Sequence, residues 1–241
     1  SLLALKESLG STIFSREILV TPVSDDSTIF PYSILEKAFI GMQNVSLTEN
    51  IHSFPVKFKK IVIGCDFAIS ANVGADYACF ATLGLDSLEN IWLINLWRKK
   101  GASHNEQISQ LQRLNAAFNP NEILMEVNGF QRVMYELAIQ AGLRNAREWV
   151  TDGWNKKDLY NGLPSLAVLF ERGCFKLPRG DENSRQLTDI VCSEFNSISF
   201  DSNKGKLEAI SGHDDIPMSV FIGTRGLFRV SSQIEISYIN F

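Results

Sequence analysis

The sequence predicts an α/β domain with a mixed central sheet, in which three antiparallel strands are followed by parallel strands and helices lie on both faces. The first observation is the run Ile61–Asp66, which is almost continuously apolar, as in a central strand covered on both sides. The second is that Tyr77–Leu83 and Ile91–Trp97 follow at hairpin spacing, which indicates an antiparallel meander. The third is that helical and strand patterns alternate after the meander.

The alternating segments start directly after the third predicted strand. Asn105–Phe118 has the apolar spacing of one helix face, Ile123–Val127 is typical of a buried strand, and Phe130–Ala141 returns to helical spacing before Gly142. The remaining predicted elements are a short strand at Trp149–Thr151, a helix over Lys156–Gly173 with a kink or break at Pro164, a strand at Phe195–Phe200 and an amphipathic helix over Asp214–Phe228.

Residues 1–57 differ in composition from residues 58–241. Ser, Thr and Asn are frequent in the first segment, and Pro22, Pro31 and Pro55 interrupt any long element. We interpret residues 1–57 as a linker or docking arm and residues 58–241 as one α/β domain. Because the chain begins with Ser, we expect it to be a piece of a longer protein.

Composition excludes several classes of protein. No apolar run approaches the roughly 18 to 20 residues that span a bilayer, so we expect no membrane partner. The four cysteines have no C-x-x-C spacing, which argues against a zinc knuckle and a disulfide framework. A net charge of −4 argues against tight nonspecific DNA binding but does not exclude a nuclease with local basic patches.

Two acidic residues end apolar strands. Asp66 follows Ile61–Cys65 and Glu126 follows Ile123–Met125, and neither run contains Lys or Arg. An ionised carboxylate in such a place costs several kcal/mol unless a positive charge offsets it. A divalent cation is a suitable partner because hard cations prefer oxygen ligands.

A third acidic position lies at the start of the last helix, where Asp214 and Asp215 follow His213. Each acid also has a structural interpretation, because Asp caps turns at strand ends and acids are favoured at helix N-termini. A structural calcium site is disfavoured, because its ligands normally share one short loop. Here 60 residues separate Asp66 from Glu126 and 88 separate Glu126 from Asp214.

The order and spacing of these motifs are similar to the nuclease domain of the large terminase subunit of tailed bacteriophages. The motifs that carry the resemblance, which extends over essentially the whole chain, are Ile63–Ala68, Gly74–Tyr77, Leu124–Asn128, Asn155–Lys157, Arg172–Pro178, His213–Asp215 and, in the arm, Phe14–Glu17, Phe30 and Leu35–Ala38.

The resemblance implies a ribonuclease H-like fold and a metal-dependent endonuclease that cuts double-stranded viral DNA concatemers during genome packaging, in the cytoplasm of the host bacterium. It implies Asp66, Glu126 and Asp214 as the catalytic triad that binds two divalent cations, Mg²⁺ or Mn²⁺, with Asp215 as an auxiliary metal ligand. In the full protein it implies a preceding ATPase domain, with the capsid portal and the small terminase subunit as partners. This chain has no G-x-x-x-x-G-K-[ST] loop, so we expect no ATP site in it.

Other residues are weaker candidates. His213 is expected either to orient a ligand or touch a phosphate, or to be a capping or surface residue. Asp76 is expected either to act as an auxiliary acid or to form a hairpin turn. The candidate DNA contacts are the basic residues Lys156, Lys157, Arg179, Arg185, Lys204 and Lys206. Each of them is otherwise a solvated charge. The Lys204–Lys206 hairpin precedes the acidic pair closely enough that its loop is expected to overhang the site.

Two other functions remain open on the sequence. One is another ribonuclease H-like nuclease, such as a Holliday-junction resolvase or a transposase, which would be distinguished by dimerisation and junction-specific cutting. The other is a non-catalytic module that docks to the portal or to DNA. Digestion of plasmid DNA with Mn²⁺ present or chelated separates a nuclease from a docking module.

Overall fold

A computed structural model of the chain describes residues 28–68, 77–128, 131–150, 162–201, 206–209 and 213–228. The strands are β1 (Lys60–Asp66), β2 (Tyr77–Leu85), β3 (Ile91–Lys100), β4 (Glu122–Glu126), β5 (Ala146–Trp149), β6 (Phe175–Lys176), β7 (Ile198–Asp201) and β8 (Lys206–Ala209). The helices are α1 (Tyr32–Leu35), α2 (His104–Phe118), α3 (Gln131–Gln140), α4 (Ser165–Glu171), α5 (Glu182–Ser197) and α6 (Asp215–Phe228), with 3₁₀ turns at Glu36–Phe39 and Ile51–Ser53.

The central sheet has six strands in the order β5-β4-β1-β2-β3-β6. The β1–β2 and β2–β3 pairs are antiparallel, whereas β4, β5 and β6 join by parallel pairing. The β2–β3 turn is closed by Asp86, whose carboxylate accepts hydrogen bonds from the Leu88 and Asn90 amides and from the Trp92 indole. The mixed sheet predicted from the meander and the later apolar strands is confirmed.

The two faces of the sheet bury separate clusters of apolar residues. Val62 of β1 and Leu124 of β4 lie on one face, together with helix α6. Ile63 and Ile123, which are the neighbours of these residues along the strands, lie on the other face with helices α2 and α3. This alternation, in which successive side chains of a strand point to opposite faces, is what a central strand covered on both sides requires.

Helix α6 packs directly on the backbone of β1. A Cβ atom built on Gly64 would lie 2.0 Å from the carbonyl oxygen of Ser219 and 2.4 Å from the amide nitrogen of Gly223. A Cβ on Gly226 would lie 2.7 Å from Val62. Later residues of α6 therefore lie over earlier residues of β1, so the helix runs antiparallel to the strand. Its first turn lies at the carboxyl end of β1.

The predicted strand over Phe195–Phe200 is wrong in its first half, because these residues form the end of helix α5. The helix continues to Ser197, and only Ile198–Asp201 is extended. The Asp181 carboxylate accepts a hydrogen bond from the Ser184 amide and caps the helix N-terminus. Val191 and Phe195 are fully buried one turn apart. The alternation in the sequence came from the last helical turn running into a short strand.

Two other element boundaries differ in smaller ways. The predicted strand at Trp149–Thr151 is four residues long and ends at Trp149. Of the predicted helix over Lys156–Gly173, residues 156–161 lie outside the described residues, and the described part is α4. Pro164 precedes the first residue of α4, which agrees with a break at that position.

The part of the predicted arm that is described packs on the domain. Phe30 and Leu35 are fully buried in the same cluster as helix α6. The Ile29 amide donates to the carbonyl oxygen of Ile198, the first residue of β7. The boundary between residues 57 and 58 stays a prediction. Among the helices described, none combines the length and apolar character needed to cross a membrane.

Candidate active site

Asp66 and Glu126 lie side by side at the carboxyl ends of two parallel strands. The β1–β4 register pairs Cys65 with Met125, and each acid follows directly in its strand. Neighbouring strands are about 4.8 Å apart, and residues two positions apart share a face. Asp66 and Glu126 therefore lie on the face of Leu124, which is the face covered by α6. Asn128 donates to Glu126 Oε1 at 2.8 Å.

Helix α6 adds the third acidic position at this end of the sheet. Ser219 lies over Gly64, and Asp215 precedes Ser219 by one helical turn just as Asp66 follows Gly64 by two strand residues. One helical turn rises about 5.4 Å and two strand residues span about 6.6 Å. Asp215 and Asp66 are therefore displaced by similar distances from Ser219 and Gly64. Asp215 is buried and Asp214 is partly exposed. Asp215 thus lies on the sheet-facing side of the helix.

The surroundings of the Cys79 thiol show the same grouping of acidic residues. Cys79 is paired with Asp66 in the β1–β2 register, and its sulfur lies 3.1 Å from Ser219 Oγ. Burial raises the pKa of this thiol well above its ordinary value, the hydrogen bond with Ser219 opposes the rise, and the charges of Asp66, Glu194 and Asp215 add to it. Strands β1 and β2 and helices α5 and α6 thus contribute to one acidic region.

The backbone brings these positions together without forming a closed coordination sphere of side chains. Among the described residues, no group of three or more His, Cys, Asp and Glu side chains is arranged to hold a metal ion. Asp215 Oδ2 instead lies 3.8 Å from Arg98 Nη2 and 3.6 Å from His213 Nδ1. The predicted ligand roles of Asp66, Glu126, Asp214 and Asp215 therefore stay predictions.

Glu194 of α5 is a buried acid that is absent from the predicted site residues. Its carboxylate pairs with Arg98 of β3 and accepts a hydrogen bond from the Ile216 amide in the first turn of α6 at 3.1 Å. Burial raises the pKa of the Glu194 carboxyl to about 7, Arg98 opposes the rise, and the charges of Asp215 and Asp214 add to it. The helical spacing Val191–Glu194–Phe195 was the signal that could have located it, had α5 been recognised.

Aromatic and basic groups border the acidic region. The Arg98 guanidinium carbon lies 3.6 Å from the centre of the Tyr77 ring, and His213 meets the same ring edge-on with 4.9 Å between ring centres. Lys100 Nζ lies 5.8 Å from that ring centre. His213 therefore contacts both Tyr77 and Asp215, and its predicted roles stay predictions.

Arg179 and Arg185, two of the predicted DNA contacts, lie near the other end of helix α5. Arg179 is 2.5 Å from the Asp189 carboxylate and packs over the Phe39 ring at 4.2 Å, and Arg185 pairs with Glu182 at 2.9 Å. Nine residues of helix, about 13 Å, separate Arg185 from Glu194. The structure does not bring these two arginines to the acidic region.

The other predicted contacts are described only in part. Asp76, Lys156, Lys157 and Lys204 lie outside the described residues. Lys206 is the first residue of β8, which pairs with β7 as the predicted hairpin. The motif residues 14–17 and 74–76 also lie outside the described residues.

A family model described as the terminase RNase H-like domain matches residues 63–217, which is more than half of the chain. The match begins within β1 and ends in the first turn of α6. It therefore includes all four predicted metal ligands. No curated protein matches the chain at a significant level.

Several solved structures of phage terminase proteins have a similar fold. The large terminase nuclease from thermophilic phage G20c with bound cobalt is 21% identical, with a TM-score of 0.59 over 84% of this chain and 97% of that chain. The large terminase subunit gp2c of bacteriophage Sf6 with calcium is 12% identical, with a TM-score of 0.56 over 80% of this chain and 97% of that chain. The HK97 bacteriophage large terminase is 10% identical, with a TM-score of 0.55 over 83% of this chain and 43% of that chain. These likenesses confirm the predicted ribonuclease H-like fold.

Proposed function

Since the chain belongs to the family of terminase RNase H-like domains, we propose that it is a metal-dependent endonuclease that cuts double-stranded viral DNA concatemers during genome packaging in the host bacterial cytoplasm. One observation carries the proposal. Asp66, Glu126 and the acidic first turn of α6 come from distant parts of the chain and meet at one end of the sheet.

We propose that Asp66, Glu126 and Asp214 bind two divalent cations, Mg²⁺ or Mn²⁺, with Asp215 as an auxiliary ligand. The donor chemistry fits, because the acids offer only oxygen ligands, which Mg²⁺ and Mn²⁺ prefer. The electrostatics also fit, because a partly buried group of like charges is stabilised by a cation. The cobalt in the G20c nuclease and the calcium in the Sf6 protein support metal binding by this fold.

The proposed role of each residue follows from its position in the site. Asp66 has Glu126 beside it in the strand register and the start of α6 over the end of its own strand, so with the acids of either neighbour its carboxylate would hold a cation. Asn128 orients Glu126 through its hydrogen bond to Oε1. When bound, such a pair of cations lowers the pKa of an attacking water and stabilises the leaving oxygen. A separate protein base is therefore not required.

Removal of metal is the direct test of this function. We expect supercoiled plasmid to be nicked and linearised with Mn²⁺ or Mg²⁺, and to stay intact with a chelator until excess Mn²⁺ is restored. Gel electrophoresis of the products over time measures the rate. Cutting that persists in chelator, or no cutting with either metal by a chain shown to be folded, contradicts the proposal. Cutting restricted to a four-way junction would instead indicate a resolvase.

We propose that basic residues contact DNA phosphates, with Lys204 and Lys206, the pair that the sequence predicts to overhang the site, as the first candidates. Neutralising both is expected to weaken duplex binding in Ca²⁺ and to reduce the salt slope of log K by about 1 to 2, or roughly 0.9 for each lost contact. Fluorescence anisotropy at several salt concentrations measures the slope. The Arg179→Gln/Arg185→Gln variant is the comparison, because the sequence also predicts contacts there while both arginines are ion-paired. If the salt slope is unchanged for a double variant, its two residues are removed from the proposed DNA contacts. Lys156 and Lys157 are tested by the same measurement.

In the full protein, we propose that an ATPase domain precedes residues 1–57 and that the capsid portal and the small terminase subunit are partners. The HK97 large terminase supports this organisation, because the matched region is 43% of that chain. Co-purification of the full protein with each partner tests the assignment.

A further inference from the structure

Arg98 is the one arginine that the structure describes in the acidic region, and it lies between two buried carboxylates. Its Nη2 pairs with Glu194 and lies 3.8 Å from Asp215 Oδ2. The Tyr77 ring packs on the guanidinium at 3.6 Å. Arg98 thereby joins three elements, because Glu194 belongs to α5, Asp215 to α6 and Arg98 itself to β3.

Glu194 extends the same connection to the backbone of α6. One carboxylate oxygen pairs with Arg98, and the other accepts the hydrogen bond from the Ile216 amide. The first amides of a helix have no partner within the helix, so this contact fixes the start of α6 relative to α5. The chain Tyr77–Arg98–Glu194–Ile216 therefore locates the turn that carries Asp214 and Asp215.

The Arg98 ion pair leaves one buried donor of the guanidinium without a hydrogen bond in the described part of the chain, which stability alone does not explain. Within the described residues, the buried Nε–H of Arg98 has no hydrogen-bond acceptor. Buried polar groups are nearly always satisfied, and replacing a buried ion pair by apolar residues is often neutral or stabilising. Fold stability alone thus gives little reason for an arginine at this position.

We propose that Arg98 is a positioning residue of the nuclease, which together with Glu194 holds the Asp215 carboxylate and the first turn of α6 in register with Asp66 and Glu126. The inference rests on the proposed function, because it assigns a role within the same metal site. Neither residue is proposed to contact the cations or the DNA.

Positioning and simple charge balance predict opposite effects on metal affinity. If Arg98 only neutralises the acids, its removal increases the negative charge of the site and Mn²⁺ binds more tightly. If Arg98 positions the acids, its removal disorders them and Mn²⁺ binds more weakly. Partners of metal ligands are typically worth about 10- to 100-fold in metal affinity or activity.

The experiment compares Arg98→Met, Arg98→Lys and Glu194→Gln with the parent chain. For Arg98→Met we expect the Mn²⁺ concentration for half-maximal plasmid cutting, and the calorimetric Kd for Mn²⁺ without DNA, to rise at least about tenfold. Arg98→Lys keeps the charge but loses the planar fork, so we expect it to restore only part of the affinity. Glu194→Gln keeps an acceptor for Ile216 but loses the ion pair, and combined with Arg98→Met it should add little.

Lys99→Met is the matched control, because Lys99 is the next residue of β3 and its ammonium pairs with Glu106 at the surface. It should leave Mn²⁺ affinity unchanged. Tighter or unchanged Mn²⁺ binding by Arg98→Met, or full rescue by Arg98→Lys, overturns the positioning role. If Arg98→Met does not fold, Arg98→Lys and Glu194→Gln decide on the same Kd. A parent chain that neither binds Mn²⁺ nor cuts overturns the proposed function itself, whereas a parent that does both while the variants match it overturns only this inference.

Discussion

The Asp66→Asn variant is expected to cut plasmid at least about a thousandfold more slowly than the parent chain at saturating Mn²⁺. The expectation follows from position, because Asp66 lies beside Glu126 and at the start of α6, and partners of metal ligands alone are worth about 10- to 100-fold. The metal-free melting temperature should stay the same or rise, because the change removes one charge from a group of like charges. Gel assays and thermal unfolding measure the two effects.

Glu122→Gln provides the matched control for this variant. Glu122 lies on β4, as Glu126 does, but at the opposite end of the strand, where it pairs with Lys60 at 3.5 Å. Its loss should leave the cutting rate within about twofold, because the partly buried Lys60–Glu122 pair lies four strand residues, about 13 Å, from Glu126. If Asp66→Asn cuts as fast as Glu122→Gln, Asp66 is not a metal ligand and the proposed arrangement of the site is wrong.

The central sheet could be predicted because its strands carry their own pattern. The continuous apolar runs at β1 and β4 and the hairpin spacing of β2 and β3 are local signals, and burial on both faces requires them. Helix α5 has only the short helical spacing Val191–Glu194–Phe195, and its last apolar residues merge into the alternating pattern of β7. Local pattern therefore gave the sheet and the outer helices but not the helix that carries Glu194.

The residues of the candidate site also differ in how far the sequence predicts them. Asp66 and Glu126 stand out in the sequence because a carboxylate at the end of an apolar strand is costly without a cation. Arg98 gave no such signal, because it is followed by Lys99 and Lys100 and resembles any solvated strand end. Its burial beside Tyr77 and Glu194 depends on the packing of three elements, which no spacing in the sequence encodes.

Gly64→Ala is expected to have the second large effect, and it acts through packing rather than charge. The added Cβ would lie 2.0 Å from Ser219 O, 2.4 Å from Gly223 N and 2.7 Å from Gly223 Cα, and all three are backbone atoms that no rotamer change can move. Helix α6 must therefore shift by about 1 Å or more, at a cost of about 3 kcal/mol, the upper end of the usual range for overpacking. That cost corresponds to a melting temperature lower by roughly 6 to 12 °C.

The same shift displaces Asp214 and Asp215 from Asp66, so cutting should fall by about a hundredfold even at temperatures where the variant is folded. Gly84→Ala is the control, because the atoms nearest its new Cβ belong to side chains, of Phe58 at 2.6 Å and Ile94 at 2.8 Å, which can rearrange. It should cost less stability and leave Mn²⁺-dependent cutting near the parent rate. Equal stability and equal cutting by the two variants would mean that α6 does not rest on β1, and the acids would then lose the contact that brings them together.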